Sequence, residues 1–195
     1  MYELPTTIDI NEQSFTIRNR GDYRMVLDCF DALNDADISQ EERIYSALII
    51  FYDCLQEIED IENIFGDFVE EAILKMFDFF NCGQENSGYM TNKILVDWKK
   101  DSQIITAAVN NVAGKEVRAE PYLHWWTFMG YYISIGESVF STVVSIRDKI
   151  TKCKKLDKFD RKFQVENPSY FKWNSKPVSE IEADREVFEL WNSGK

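Results

Sequence analysis

The spacing of apolar residues changes near position 22, and this change constrains the fold more than any other feature of the 195-residue chain. Upstream, apolar side chains alternate, with Ile8 and Ile10 before a polar turn and Phe15 and Ile17 after it. Downstream, they recur every three or four residues through most of the chain. Period two is typical of strands and the longer period of helices. We therefore predict a mainly α protein, a multi-helix bundle with a small N-terminal β-hairpin over residues 6–18.

Capping signals divide the first part of the helical region. Asp22 is placed to cap the first helix, and Ser39 with Glu42 forms a capping box that opens the second. One long third helix is expected from Ile61 to Phe80, because apolar residues keep the helical period across this whole stretch.

Further helices are expected downstream. Asp97 is predicted to cap a helix that ends before Gly114, where a glycine favours a stop. The Glu120–Pro121 pair is expected to begin an aromatic helix, since proline is tolerated in a first turn. Residues 136–138 (Gly-Glu-Ser) should separate that helix from an apolar one over 139–150. Such a break argues against a membrane span in this region.

The domain prediction is a single helical domain over residues 1–165, including the hairpin, followed by a C-terminal extension over residues 166–195. Pro168 and Pro177 interrupt the helical period at the start of the extension. A capping box of Ser179 and Glu182 then predicts one amphipathic helix within it.

Charge is divided unevenly along the chain. The net charge is −12, made up of −15 in residues 1–97 (21 acids, 6 bases) and +3 in the remainder (13 acids, 16 bases). General nucleic-acid binding is not expected, because it needs clustered Lys and Arg to neutralise phosphates. The acidic half should instead attract a basic partner or a second copy of the chain. If a second copy binds, the resulting homo-oligomer should weaken as the salt concentration rises.

A basic stretch over residues 147–162, with a net charge of +5, is the candidate electrostatic contact. Asp148, Asp157 and Asp160 interrupt it and weaken the case for a phosphate backbone as its ligand. An acidic protein surface fits at least as well, and a solvated helix face is the plain alternative. The candidate contact residues are Arg147, Lys152, Lys154, Lys155, Lys158, Arg161 and Lys162.

The cysteines and the N-terminus favour a location in the cytoplasm. Four cysteines, at positions 29, 54, 82 and 153, form no CxxC pair and have no neighbouring histidine, so they are expected to be thiols in a reducing compartment. The first residues have neither the basic nor the apolar region of a secretory signal.

No catalytic residue, metal ligand or cofactor is predicted. The sequence has no P-loop, GxGxxG, HExxH or GxSxG motif. His124, the only histidine, is flanked by aromatic residues and is expected to be a core or interface residue. Asp97 and Asp101, four residues apart, could face one metal ion, but the simpler interpretation is a helix cap and a solvated acid in the first turn.

The aromatic helix is the candidate partner-binding element. Both of its faces are apolar, so it is either central to the core or uses one face to bind a partner, and the first alternative is favoured. The candidate partner-binding residues are His124, Trp125, Trp126, Phe128, Tyr131 and Tyr132.

Four motifs, in this order and spacing, resemble one phage family. They are Asp97-Trp-Lys-Lys-Asp101, Ile104-Ile-Thr-Ala-Ala-Val109, Tyr122-Leu-His-Trp-Trp-Thr-Phe128 and Ser145-Ile-Arg147. The chain is similar, over about residues 1–173, to the "gene product fifteen" proteins of Gram-positive tailed phages and prophages. The Leu-His-Trp-Trp-x-Phe core is the most specific part of the likeness.

This resemblance implies a non-enzymatic role in tail morphogenesis. The family's genes lie between tail-tube and tape-measure genes, which implies a tail assembly chaperone that binds the tape-measure protein and possibly the tail-tube protein. One alternative is a structural tail or neck component of the virion. Another is a small-ligand or metal-dependent enzyme that uses Asp97, Asp101 and His124.

Overall fold

The structure, a computed structural model, describes residues 3–84 and 95–172. In these ranges the chain forms eight α-helices and one two-stranded antiparallel sheet, which confirms the predicted fold class. The helices are α1 (Tyr23–Leu33), α2 (Gln40–Phe51), α3 (Ile58–Phe65), α4 (Val69–Phe80), α5 (Ser102–Ala113), α6 (Trp125–Ile133), α7 (Val139–Thr151) and α8 (Lys158–Glu166).

The N-terminal hairpin forms where the alternating pattern predicts it. Strand β1 (Thr7–Ile10) pairs with β2 (Gln13–Thr16), and Ile10 lies opposite Gln13. The turn therefore consists of Asn11 and Glu12 alone, and both have positive φ angles, of 46° and 62°. Positive φ at both central residues gives the two-residue turn that matches the twist of a hairpin.

The predicted caps of the first two helices are confirmed. The Asp22 carboxylate accepts a hydrogen bond from the backbone N–H of Arg24, and α1 begins at the residue between them. Ser39 and Glu42 form a reciprocal capping box at the start of α2. Each interaction satisfies backbone donors that have no partner inside the helix.

The single third helix was a wrong prediction. Helix α3 ends at Phe65, and Gly66 adopts a φ of +50° before a 3₁₀ turn leads into α4. A residue in this left-handed region cannot continue a right-handed helix, and glycine adopts it without a steric penalty. The period of the apolar residues concealed the break because it continues on both sides.

The start of the aromatic helix was also misplaced, since α6 begins at Trp125 and not at Glu120–Pro121. Residues 122–124 are held outside a helix by pairing with a distant segment. The backbone N–H of Tyr23 donates to the Leu123 carbonyl, and the Leu123 N–H donates to the Asp22 carboxylate, both at 2.9 Å. This pairing positions the His-Trp-Trp residues that follow.

The separation between α6 and α7 at residues 134–138 is confirmed, with Ser138 capping α7. At 13 residues α7 is the longest described helix, and no described helix is long and apolar enough to cross a bilayer.

The described residues divide into two compact units. The first comprises residues 3–84 and 121–129, and the second comprises residues 95–120 and 130–172. The predicted division at residue 165 stays a prediction, and the helix expected from Ser179 lies outside the described residues. The first unit encloses a core of aromatic rings, which includes Phe51, Tyr52, Phe79, Phe80 and Trp125.

Candidate partner-binding surfaces

Both ring nitrogens of His124 are occupied by the backbone of the first unit. Nδ1 accepts a hydrogen bond from the N–H of Trp126 at 3.0 Å, and Nε2 lies 3.0 Å from the Pro5 carbonyl oxygen. Only the neutral ring with its proton on Nε2 satisfies both contacts. Burial lowers the pKa of His124, against weaker opposing effects of the Pro5 carbonyl and the Asp22 carboxylate. His124 therefore caps α6 and holds the segment before β1, and it has no nitrogen available for proton transfer.

The two tryptophans that follow His124 complete the end of α4. The indole Nε1–H of Trp125 donates to the Phe80 carbonyl, and that of Trp126 donates to the Phe79 carbonyl, both at 2.9 Å. The last four carbonyls of a helix have no partner within it, so the paired tryptophans satisfy two of them. Trp125 is fully buried and Trp126 is half-buried. The Leu-His-Trp-Trp-x-Phe core, the most specific part of the family likeness, thus attaches the start of α6 to the end of α4.

The remaining predicted aromatic residues fall into separate environments. Phe128 is buried in the first unit and stacks parallel on Tyr23, with ring centroids 4.6 Å apart. Tyr131 and Tyr132 are half-buried and belong to the second unit, where Tyr132 packs against Trp98. Of the six predicted partner-binding residues, only Trp126, Tyr131 and Tyr132 are partly exposed.

Arg147 is part of the interior of the second unit. Its guanidinium forms a bidentate ion pair with Asp101, at 2.6 and 2.9 Å, and donates to the carbonyls of Leu95 and Tyr170. The prediction of a solvated Asp101 was therefore wrong. Its partner Arg147 lies 46 residues away in the sequence, so no local sequence pattern indicated the pair. The other predicted contact residues are exposed: Lys152, Lys154, Lys155, Lys158, Arg161 and Lys162.

Asp97 does not cap a long helix as predicted. Its carboxylate accepts hydrogen bonds from the N–H groups of Lys99 and Lys100 in a turn, and α5 begins later, at Ser102. Asp101 uses both carboxylate oxygens for Arg147 and one of them also for the N–H of Asp97. In the described ranges no three His, Cys, Asp or Glu residues are grouped so that they could hold a metal ion.

Helix α8 presents an apolar side chain among cations. Phe159 is 64% exposed, and Lys158, Arg161 and Lys162 around it are also exposed. Asp160 is turned inward, where it accepts a hydrogen bond from the Lys149 ammonium at 2.7 Å. Of the three acids that interrupt the basic stretch, Asp160 is thus buried and paired, whereas Asp157 stays exposed. We call the exposed side of α8 the basic knob, defined by Lys158, Phe159, Arg161 and Lys162.

An acidic groove in the first unit was not predicted. It has a volume of about 240 Å³ and lies between the hairpin and the residues around the α3–α4 break. Ile10 and Phe65 are buried in its lining, and Ile64 and Phe68 are 37% and 40% exposed. The groove is lined by Ile10, Asn11, Gln13, Phe15 and residues 63–68, which include Asp67. Gly66 was the sequence signal that could have indicated it.

Comparison with known proteins supports the family resemblance. No curated protein and no solved structure matches the chain. The sequence model of a family described as "Bacteriophage Gp15 protein" matches residues 1–166, which contain the hairpin and all eight described helices. The match covers far more than half of the 195 residues. The chain therefore belongs to the bacteriophage Gp15 protein family.

Proposed function

We propose that this protein is a phage tail morphogenesis factor that acts as a tail assembly chaperone for the tape-measure protein. Family membership supports the broader part of this proposal, a structural or morphogenetic role in the phage. The finer part rests on one observation: the acidic groove exposes Ile64 and Phe68 in a segment, residues 44–74, that contains no Lys or Arg.

A tape-measure chain consists of long amphipathic helices, which aggregate when their apolar stripes face water. A chaperone for such a chain needs apolar contacts that are not used in its own core, together with enough charge to keep the complex soluble. The rim of the acidic groove supplies the apolar contacts, and Ile58, 49% exposed at the start of α3, adds to them. Residues 39–85, which include α3 and α4, supply the charge, with 12 acids and 2 bases.

Contacts on α6 form a second part of the proposal. Trp126, Tyr131 and Tyr132 keep part of their surface accessible, so each can contribute a contact to a bound helix without local unfolding. His124, Trp125 and Phe128 stabilise the first unit from within. The chemistry of the interior also favours a binding role over catalysis, since His124 and Asp101 are both committed to structural hydrogen bonds.

Co-expression with the tape-measure protein of the same phage tests the proposal. We expect the wild-type chain to keep the tape-measure protein soluble and to co-purify with it. Ile64→Arg should abolish both effects, because it places a long cation in the groove. The matched control is Val139→Arg, at a 49% exposed position at the start of α7 in the second unit, which should behave as the wild type.

Mass spectrometry of purified virions separates the chaperone from a structural tail or neck component. A chaperone leaves after assembly and should be absent from the finished particle. A stoichiometric amount of the protein in virions contradicts the chaperone role and supports the structural one.

A further inference from the structure

The acidic groove has the size of a site for one side chain. Its volume of about 240 Å³ is below the ~300–1,000 Å³ of pockets that hold small-molecule ligands or cofactors. Phe15 and Phe65, whose ring centroids are 5.0 Å apart, both line it. An aromatic side chain entering here can pack against these rings with favourable geometry. The groove therefore suits an aromatic anchor of another protein segment.

The charge around the groove determines which charge the residues beside such an anchor should carry. The two segments that line the groove contain no basic residue, since no Lys or Arg occurs in residues 3–17 or 44–74. Asp67 lies in the lining, and Glu12 lies in the hairpin turn between two lining residues. An anchor flanked by cations is attracted to this surface, whereas one flanked by acids is repelled.

The basic knob of α8 has both required properties. Phe159 is 64% exposed, although exposure of a large aromatic ring to water is unfavourable. In the described part of the chain, Lys158 has no carboxylate within ion-pair distance. The same is true of Lys154 and Lys155. With Asp160 turned inward, Arg161 also has no carboxylate partner among the described residues, and Lys162 forms only an exposed pair with Glu166 at 3.8 Å. Exposed pairs of this kind contribute little, so these cations can meet an acidic surface.

We propose that the basic knob of one copy docks in the acidic groove of a second copy, with Phe159 as the apolar anchor. The contact is heterologous, because two different surfaces meet. Each added copy therefore leaves one groove and one knob available, and association can continue into longer assemblies. The proposal concerns the chain alone, and its experiment contains no tape-measure protein. Its failure thus leaves the proposed function untouched, although docking in the groove excludes a tape-measure helix from the same surface.

Sedimentation of the purified full-length chain is the first measurement. We expect masses above the 22.9 kDa of a single chain at about 0.05 M salt. At about 1 M salt the distribution should shift toward the single chain, because the Debye length shortens several-fold. A chain that sediments as a monomer at every concentration in low salt overturns the proposal and leaves the groove to a different protein.

Two variants that each disable one surface test the heterologous geometry. Phe159→Ser removes the anchor, and Ile64→Arg blocks the groove. Both positions are exposed, so circular dichroism should show wild-type folding, and each variant alone should be monomeric. An equal mixture of the two should form dimers and nothing larger, because one intact groove meets one intact knob.

Ile133→Arg is the control and should associate as the wild type does. Persistent self-association of Phe159→Ser, or a mixture of the two variants that stays monomeric, overturns the proposed contact.

Discussion

Asp101 and Arg147 form a two-point ion pair in the interior of the second unit, with their side chains 1% and 8% exposed. The pair joins the start of α5 to α7. The same guanidinium also binds the carbonyls of Leu95 and Tyr170, so that one side chain in α7 holds both the 95–101 loop and the stretch at Tyr170. A buried charge held in this way is costly to leave without its partner.

Arg147→Met should therefore destabilise the protein by about 3–5 kcal/mol, the usual cost of an uncompensated buried charge. The double variant Asp101→Leu/Arg147→Met should recover part of this loss, because no charge then remains buried. Recovery should be incomplete, since two carbonyls still lack their donor. Chemical denaturation measures both values. Lys152→Met, which breaks an exposed pair with Asp148, is the control and should cost less than about 1 kcal/mol.

The paired tryptophans should differ in their contributions to stability. Trp125→Ala should cost about 3–5 kcal/mol, as expected for a fully buried tryptophan, and Trp126→Ala should cost less because its ring is half-buried. Trp125→Phe keeps most of the packing but removes the donor to the Phe80 carbonyl, at a cost of about 1–3 kcal/mol. Trp126→Phe should cost less, because the Phe79 carbonyl also accepts from the N–H of Cys82. Equal losses for the two alanine variants would contradict the burial described here.

Stability should fall in mildly acidic solution because of His124. Burial lowers its pKa in the folded state below the ordinary value of 6.5, so the unfolded chain binds a proton more readily. The stabilising contribution is complete above about pH 6.5 and decreases as the pH falls toward the folded-state pKa. The measurement is the difference in unfolding free energy between the wild type and His124→Asn across this range, since other groups titrate in both proteins. A difference that is constant with pH would show that His124 is not held in its neutral form.

Gly21→Ala should be strongly destabilising. Gly21 has a φ of +76°, and a Cβ atom there would lie 2.7 Å from the Phe79 ring and 3.0 Å from Nε2 of His124. Strain and overlap act together at this position. Gly114→Ala is the matched control, since its φ of +69° is similar but nothing lies within 4 Å of the added atom. A thermal melt should show a much larger decrease in Tm for position 21 than for position 114.

Features that act over a few residues were predictable from the sequence. The caps at Asp22 and Ser39 and the stop at Gly114 each depend on groups within four residues, and all three form as predicted. The burial of His124 was expected from its aromatic neighbours, but the partners of Asp101 and of His124 Nε2 were not predictable, because they lie 46 and 119 residues away.

The candidate surfaces were likewise predictable only where they depend on residues close in sequence. The exposed lysines of the basic stretch could be identified from composition, but Arg147 within it could not be recognised as buried. The acidic groove depends on how the hairpin packs beside the α3–α4 break, which is a tertiary relationship. An alternating pattern in one segment and a helical pattern in another do not specify it.

The first unit is discontinuous, since it needs residues 121–129 to complete a core that begins at the N-terminus. During synthesis, the ends of α4 at Phe79 and Phe80 emerge before the tryptophans that bind them. At about 5–20 residues per second, the ribosome takes several seconds to supply the missing segment. The nascent chain therefore passes through an interval in which the Phe80 carbonyl lacks its donor and the aromatic core lacks Trp125. A product truncated before Trp125 would never leave that state.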